Sequence, residues 1–193
     1  MTSYANLHFA LERLRGEAFT HAKDGPRVLV LGPENAGKTS LVKLLTAYAT
    51  RSGRQPIAVN LDTKESMLSI PGSLSAATLS SIIDVEGGWG SSPTNGPMPV
   101  PAKLPLVYYL GLANPEDRTS VYKPIITRLA LSVMNRLQDD KEARGTGCVI
   151  DTPGVISQGK GSYEVANHVI SEFSGKFLGP CNNLQDVAHY LFS

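Results

Sequence analysis

Val28–Leu45 reads VLVLGPENAGKTSLVKLL, and its interpretation decides the fold. The run from Val28 to Leu31 is continuously apolar, the signature of a strand buried on both faces, and it stops at Gly32. Residues 32–39 then fit the spacing G-x-x-x-x-G-K-[ST], and Leu41, Leu44, Leu45 and Tyr48 recur on one side of a following helix. A glycine-bracketed turn between a buried strand and a helix lets backbone N–H groups and the helix N-terminus surround a chain of phosphates. In that arrangement Lys38 brings a point charge to the β and γ phosphates, and the Thr39 hydroxyl can ligate magnesium. Ser40 is either a contact to the α phosphate or simply an early helix residue. The expected nucleotide-binding set is Gly32, Glu34, Asn35, Ala36, Gly37, Lys38, Thr39 and Ser40.

Working outward, the helix ends near RSGRQP, where Gly53 and Pro56 stop it, and IAVNLD (Ile57 to Asp62) reads as a second buried strand. Strand, helix, strand is the unit of a parallel sheet with a right-handed crossover. LVYYLG (Leu106 to Gly111) is a third strand. VYKPIITRLALSVMNRLQDD carries Ile125, Leu129, Val133, Met134 and Leu137 as a helical core stripe, and GTGCVIDTPG supplies a fourth strand ending at Asp151. Ahead of the phosphate motif, Leu7, Leu11, Leu14 and Ala18 mark an amphipathic helix that must pack on something. Glycine, proline and serine crowd residues 87–105, read as a long loop holding Trp89. The fold class expected is α/β, a P-loop NTPase-type parallel sheet with helices on both faces.

Asp62 and Asp151 both end strands. In a doubly wound sheet those ends open on the same edge as the phosphate loop, so both can face a metal. With Thr39 they form the candidate magnesium set, directly or through water, although either aspartate could instead cap a turn. DTPG (Asp151 to Gly154) also fits the D-x-x-G that GTPases use to sense a γ phosphate. The guanine-recognition tetrapeptide N/T-K-x-D is nowhere in the chain, which leaves a P-loop GTPase as a lower alternative.

Composition sets the outer limits. With 41% hydrophobic and 18% charged residues the chain is of ordinary globular type. No apolar stretch approaches the roughly 20 residues of a membrane helix, and the charged N-terminal pattern lacks the uncharged block of a secretory signal. A protein retained inside the cell, with no membrane partner, is the expectation. The formal charge of +1 argues against broad electrostatic binding of nucleic acid. Cys148 and Cys181 have no metal-ligand spacing and read as reduced thiols.

The order NLHFALERLR, GPRVLVLGPENAGKTSL, NLDTKESMLSIPG, LPLVYYLGLANP, YKPIITRLA and GCVIDTPGVISQGKGSYEVANHVISEF resembles the central domain of the Clp family of pre-mRNA cleavage-factor subunits, fungal type. These proteins are related to RNA 5′-hydroxyl polynucleotide kinases. The resemblance runs from about Asn6 to Phe173. It implies ATP and Mg2+ held at the loop, a nuclear location, other cleavage-factor subunits as partners, and RNA met through the assembly. It also implies flanking domains: residues 1–24 as a helical lead-in from an N-terminal domain, 25–173 as the P-loop ATP-binding domain, and 174–193 as a divergent tail without the next strand. On this reading the chain is truncated at both ends, and the sheet is incomplete on its C-terminal side.

In active kinases of the family, the resemblance places the phosphate-loop lysine and threonine at Lys38 and Thr39, and the aspartate that helps activate the RNA hydroxyl at Asp62. Three substrate-side positions depart from that pattern. D-x-x-Q becomes DTKE, with Glu65 in place of the amide; T-x-G-W becomes TPGV, with Val155 in place of a base-stacking tryptophan; and T-T-P becomes ANP at Ala113 to Pro115. Stacking of a base on an aromatic contributes about 1–3 kcal/mol, which valine cannot match. The favoured function is an ATP-binding subunit of the mRNA 3′-end cleavage and polyadenylation machinery that holds ATP as a structural ligand and scaffolds its partners. The alternative is an active ATP-dependent RNA 5′-hydroxyl kinase with Asp62 catalytic.

Overall fold

The computed structural model describes residues 2–65, 67–80, 105–154, 162–173 and 176–178. In chain order the elements are α1 (Thr2–His21), β1 (Arg27–Val30), α2 (Lys38–Arg51), β2 (Ile57–Asn60), β3 (Ser73–Thr78), β4 (Leu106–Tyr109), α3 (Thr119–Asp139), α4 (Lys141–Thr146), β5 (Cys148–Asp151), α5 (Ser162–Phe173) and β6 (Lys176–Leu178). A short 3-10 turn, Pro115–Arg118, leads into α3. Alternation along β1 divides the interior in two. Val28 and Val30 join Leu7, Leu11, Leu41, Val42 and Leu45 under α1 and α2, while Leu29 joins Tyr122, Ile126, Leu129, Val169 and Phe173 under α3 and α5. A strand with apolar side chains on both faces demands this layered arrangement.

The sheet order is β4-β3-β2-β5-β1-β6. β2, β5, β1 and β6 run parallel, whereas β3 and β4 are antiparallel additions beyond β2. The strands that carry the site are parallel, as expected of a P-loop NTPase-type sheet, and the β3–β4 edge makes the whole sheet mixed. β3 escaped the sequence reading because SLSAAT contains no aromatic, valine or isoleucine, yet all six residues are buried between β2 and β4. A correction concerns the tail, where no further strand was expected: Lys176–Leu178 pairs with Val28–Val30. Three residues are too few to show a period. Trp89, Val155, Cys181 and residues 87–104 of the Gly/Pro-rich region lie outside the described residues.

Helix faces differ in detail from their expected stripes. In α2 the buried positions are Lys38, Leu41, Val42, Leu45, Thr46, Ala49 and Thr50, with Leu44 and Tyr48 at the margin. In α3 they are Tyr122, Ile126, Leu129, Ala130, Val133 and Leu137, with Ile125 and Met134 half-buried beside them. α1 packs against α2 and α4, and Leu7, Leu11 and Ala18 are buried as its period requires. A polar clasp completes this seat. Buried Arg15 donates from Nε to the Thr146 carbonyl at 3.1 Å and from a terminal nitrogen to Glu12 at 2.6 Å. The other Glu12 oxygen accepts from Arg54 Nε at 3.0 Å. Burial opposes the Glu12 charge, but the two arginines outweigh it and hold the carboxyl below its usual value.

The register sets the site. Asp151 of β5 lies level with Val30 on one side and Asn60 on the other, so three parallel strands finish on one line. The phosphate motif departs from the first, Asp62 lies just past the second, and Asp151 sits between them.

Candidate nucleotide-binding site

Backbone shape builds the cradle first. Asn35 and Gly37 adopt left-handed φ values of 59° and 77°, which turn the loop sharply back into α2. Gly37 is the N-cap of α2 and no side chain caps the helix there, which leaves its first N–H groups for an anion. Lys38 is buried, and its Nζ donates to the Pro33 carbonyl at 2.8 Å, folded over its own loop. A Cβ on Gly32 would lie 3.6 Å from the Lys38 stem, an ordinary contact, so packing within the protein does not demand glycine there.

Beneath the loop, Thr39 donates its hydroxyl to Asp151 Oδ2 at 2.6 Å, and Asp151 Oδ1 accepts from the Thr152 N–H at 2.9 Å. Asp151 is fully buried. Burial pushes its carboxyl up to about 6, aided by the nearby Asp62 charge and opposed by the Thr39 hydrogen bond. Thr152 donates its hydroxyl to the Val30 carbonyl at 2.7 Å, tying the end of β5 to the end of β1.

Across the cleft, Asn60 braces the turn that carries Asp62, donating to the Asp62 carbonyl at 3.0 Å and accepting the Asp62 N–H at 3.1 Å. Asp62 Oδ1 in turn accepts the Lys64 N–H at 2.8 Å. Burial raises the Asp62 carboxyl above its ordinary value, against the backbone donors of Lys64 and Glu65 and the Lys38 charge. Thr63 donates its hydroxyl to the Ala113 carbonyl at 2.7 Å, which fixes this loop to the segment after β4.

The result is a cavity of about 260 Å³. From the expected set, Glu34, Asn35, Gly37, Lys38, Thr39, Ser40 and Asp62 line it. Gly32 and Ala36 shape the loop and are not part of the wall, and Asp151 lies behind Thr39. Two residues singled out as departures, Glu65 and Ala113, also line it, together with Pro153 and Gly154 of DTPG. Lys64 was missed by the sequence reading. Its signal was its place two residues after Asp62, and it reaches over to pair with Glu34 at 2.6 Å. Among the described residues no group of three or more His, Cys, Asp or Glu could hold a metal. The arrangement instead suits the mode in which Mg2+ keeps most of its waters and takes one hydroxyl or carboxylate plus nucleotide phosphates. The uncapped helix start, the lysine and the Thr39–Asp151 pair together fit a magnesium nucleoside triphosphate.

A family model described as mRNA cleavage and polyadenylation factor CLP1 P-loop matches residues 32–178, from the start of the phosphate loop through β6. The chain belongs to this family. The mRNA cleavage and polyadenylation factor clp1 of Botryotinia fuckeliana (strain B05.10) is 64% identical over 174 residues, covering 90% of this chain and 38% of that protein. The protein of the same name in Aspergillus oryzae (strain ATCC 42149 / RIB 40) is 62% identical over 176 residues, covering 90% and 32% respectively. The chain thus spans about a third of the length of these CLP1 relatives. A solved complex of wild-type Clp1p with a segment of Pcf11p superposes with a TM-score of 0.82 at 32% identity, covering 100% of this chain and 45% of that one. A second structure, concerned with the extended interface between Pcf11p and Clp1p and with ATP loss in a point mutant, gives 0.82 at 31% identity, with coverage of 100% and 46%. Among the described residues no helix is long and apolar enough to cross a membrane.

Proposed function

We propose that this chain is the nucleotide-holding core of a nuclear mRNA 3′-end cleavage and polyadenylation subunit, in which ATP is kept as a structural ligand and the loaded domain scaffolds a partner subunit. RNA is met through that assembly. The observation that carries the reading is the asymmetry of the cavity. Its phosphate side is complete, with Lys38, Thr39 and Asp151 in hydrogen-bonded place, whereas the opposite wall presents Glu65 and Ala113 where active kinases carry an amide and a hydroxyl. Lys38, Thr39, Ser40 and the Gly37 turn would hold the triphosphate. Thr39 would ligate Mg2+, with Asp62 and Asp151 acting on it directly or through water. A metal ion bound there would supply charge neutralisation to the phosphates. Bound ATP stabilises the folded domain and its docking face by mass action, without turnover.

The solved Clp1p relatives support this indirectly, through their Pcf11p complexes and the loss of ATP in a point mutant. The direct test is to purify the chain without added nucleotide, denature it and identify what is released by ion-pair chromatography. Near-stoichiometric ATP is the expected result. ADP would mean turnover and overturn the structural-ligand reading.

One observation favours a second reading, an RNA 5′-hydroxyl kinase: Asp62 faces the cavity with its carboxyl raised by burial, the condition of a general base tuned towards neutrality. Phosphorylation of a 5′-hydroxyl oligoribonucleotide by the chain, abolished by Asp62→Asn, would establish it. Gain of that activity in Val155→Trp would attribute its absence in the parent to the lost base stack.

A further inference from the structure

Lys64 and Glu34 approach each other from opposite sides of the phosphate cavity. Glu34 is the third residue of the phosphate loop, Lys64 follows Asp62 beyond β2, and Lys64 Nζ lies 2.6 Å from Glu34 Oε1. Both backbones are fixed. The Lys64 N–H is bonded to Asp62 at 2.8 Å, and Gly154 packs so closely on Glu34 that a Cβ there would fall 2.5 Å from the Glu34 Cα. The pair is about two-fifths exposed on each side, with side-chain accessibilities of 42% and 40%. An ion pair so open to solvent adds little to stability and exchanges readily for a better partner.

Charge identifies that partner. The lining cations are Lys38 and Lys64, against Glu34, Asp62 and Glu65, and Lys38 is already turned towards its own loop. A polyphosphate entering this wall meets more carboxylates than ammonium groups, so every available cation counts. Ser40 and Thr39 lie at the start of α2, Lys38 reaches back along the loop, and Glu34 with Lys64 stands at the loop's opening residues, so a phosphate chain seated on the helix start and running along the loop would end beside them.

We propose that Lys64 is a specificity residue that contacts the terminal phosphate and makes the site retain a nucleoside triphosphate in preference to a diphosphate, with Glu34 storing the ammonium over the mouth until that phosphate arrives. This deepens the ATP-holding reading and rests on it. A triphosphate carries a further charged group for Lys64 to meet, and a diphosphate leaves Lys64 with Glu34. The pairing is already reflected in a Glu34 carboxyl held below, and a Lys64 ammonium held above, their ordinary values.

The test is calorimetric titration of the full chain with MgATP and MgADP, applied to the parent, Lys64→Gln, Lys64→Arg and Glu34→Gln. All substitutions are at the solvent-exposed mouth, and circular dichroism checks that each variant is folded. The ratio of ADP to ATP dissociation constants should fall about tenfold in Lys64→Gln, the scale of one lost bond to a charged group, while ADP affinity stays within about twofold. Lys64→Arg should restore the ratio, and Glu34→Gln should keep or raise it by freeing the ammonium. Equal loss of both nucleotides in Lys64→Gln, or an unchanged ratio, overturns the assignment and leaves the ATP-holding reading standing. A parent chain that binds neither nucleotide overturns both.

Discussion

Thr39 and Asp151, far apart in sequence, meet under the phosphate loop through a 2.6 Å hydrogen bond in which the threonine hydroxyl is the donor. The acceptor is fully buried at the end of the strand between β1 and β2, so the loop is anchored from below by a carboxylate that water does not reach.

That burial makes stability depend on pH. Asp151 rises from 3.8 to about 6 on folding, so the folded state holds the proton more tightly than the unfolded chain does. Its stabilising contribution is full below about pH 4 and is lost as pH rises through 6, on the order of 3 kcal/mol in all. Urea unfolding of the nucleotide-free chain at pH 4.5 and 7 should show this decline, and Asp151→Asn should flatten it. MgATP should offset the loss above pH 6 if the proposed cation site is occupied, because a cation beside Thr39 would neutralise the carboxylate.

Lys38→Ala removes the loop's own cation. ATP retained through purification should drop at least about tenfold, the scale of one charge-assisted contact. Binding to a partner subunit should weaken in parallel, read by co-purification. Undiminished partner binding would separate scaffolding from nucleotide.

Gly154→Ala tests the closest backbone approach in the site. The added Cβ would sit 2.5 Å from both the N and Cα of Glu34, so the phosphate loop itself must move. Overpacking of this kind costs about 1–3 kcal/mol, and thermal unfolding should register it. Nucleotide retention should fall further than stability does, since the displaced atoms belong to the cradle.

Glu12→Ala strands a buried guanidinium. Arg15 keeps its bond to the Thr146 carbonyl but loses the carboxylate that balances its charge, and Arg54 loses its ion pair to α1 while keeping its place over the Phe19 ring. Removing one member of a buried pair costs about 3–5 kcal/mol, whereas Arg54→Ala, more exposed, should cost less. Denaturant titration of the two variants decides the order.

The legible part of the fold is the part whose chemistry is local. β1, α2 and β2 announce themselves through branched apolar runs and a glycine-spaced turn, and Asp62 and Asp151 through their place at strand ends. β3 was not legible, because Ser73, Ser75 and the alanines become a strand only by pairing between β2 and β4. α4 carried a readable start that was passed over: Asp140 accepts the N–H groups of Glu142 and Ala143. At the site, Lys64 escaped because its partner lies in a different loop, and no spacing within DTKE points to Glu34. Distances across the cleft are set by the register of three strands, which no single segment contains.

α2 has a use beyond covering the sheet. Its first residue, Lys38, stands at the cavity, and the chain just past its last turn enters the Glu12–Arg15–Arg54 clasp. Its 14 residues make a strut about 21 Å long between the two. One rigid element therefore borders both the cavity and the seat of α1.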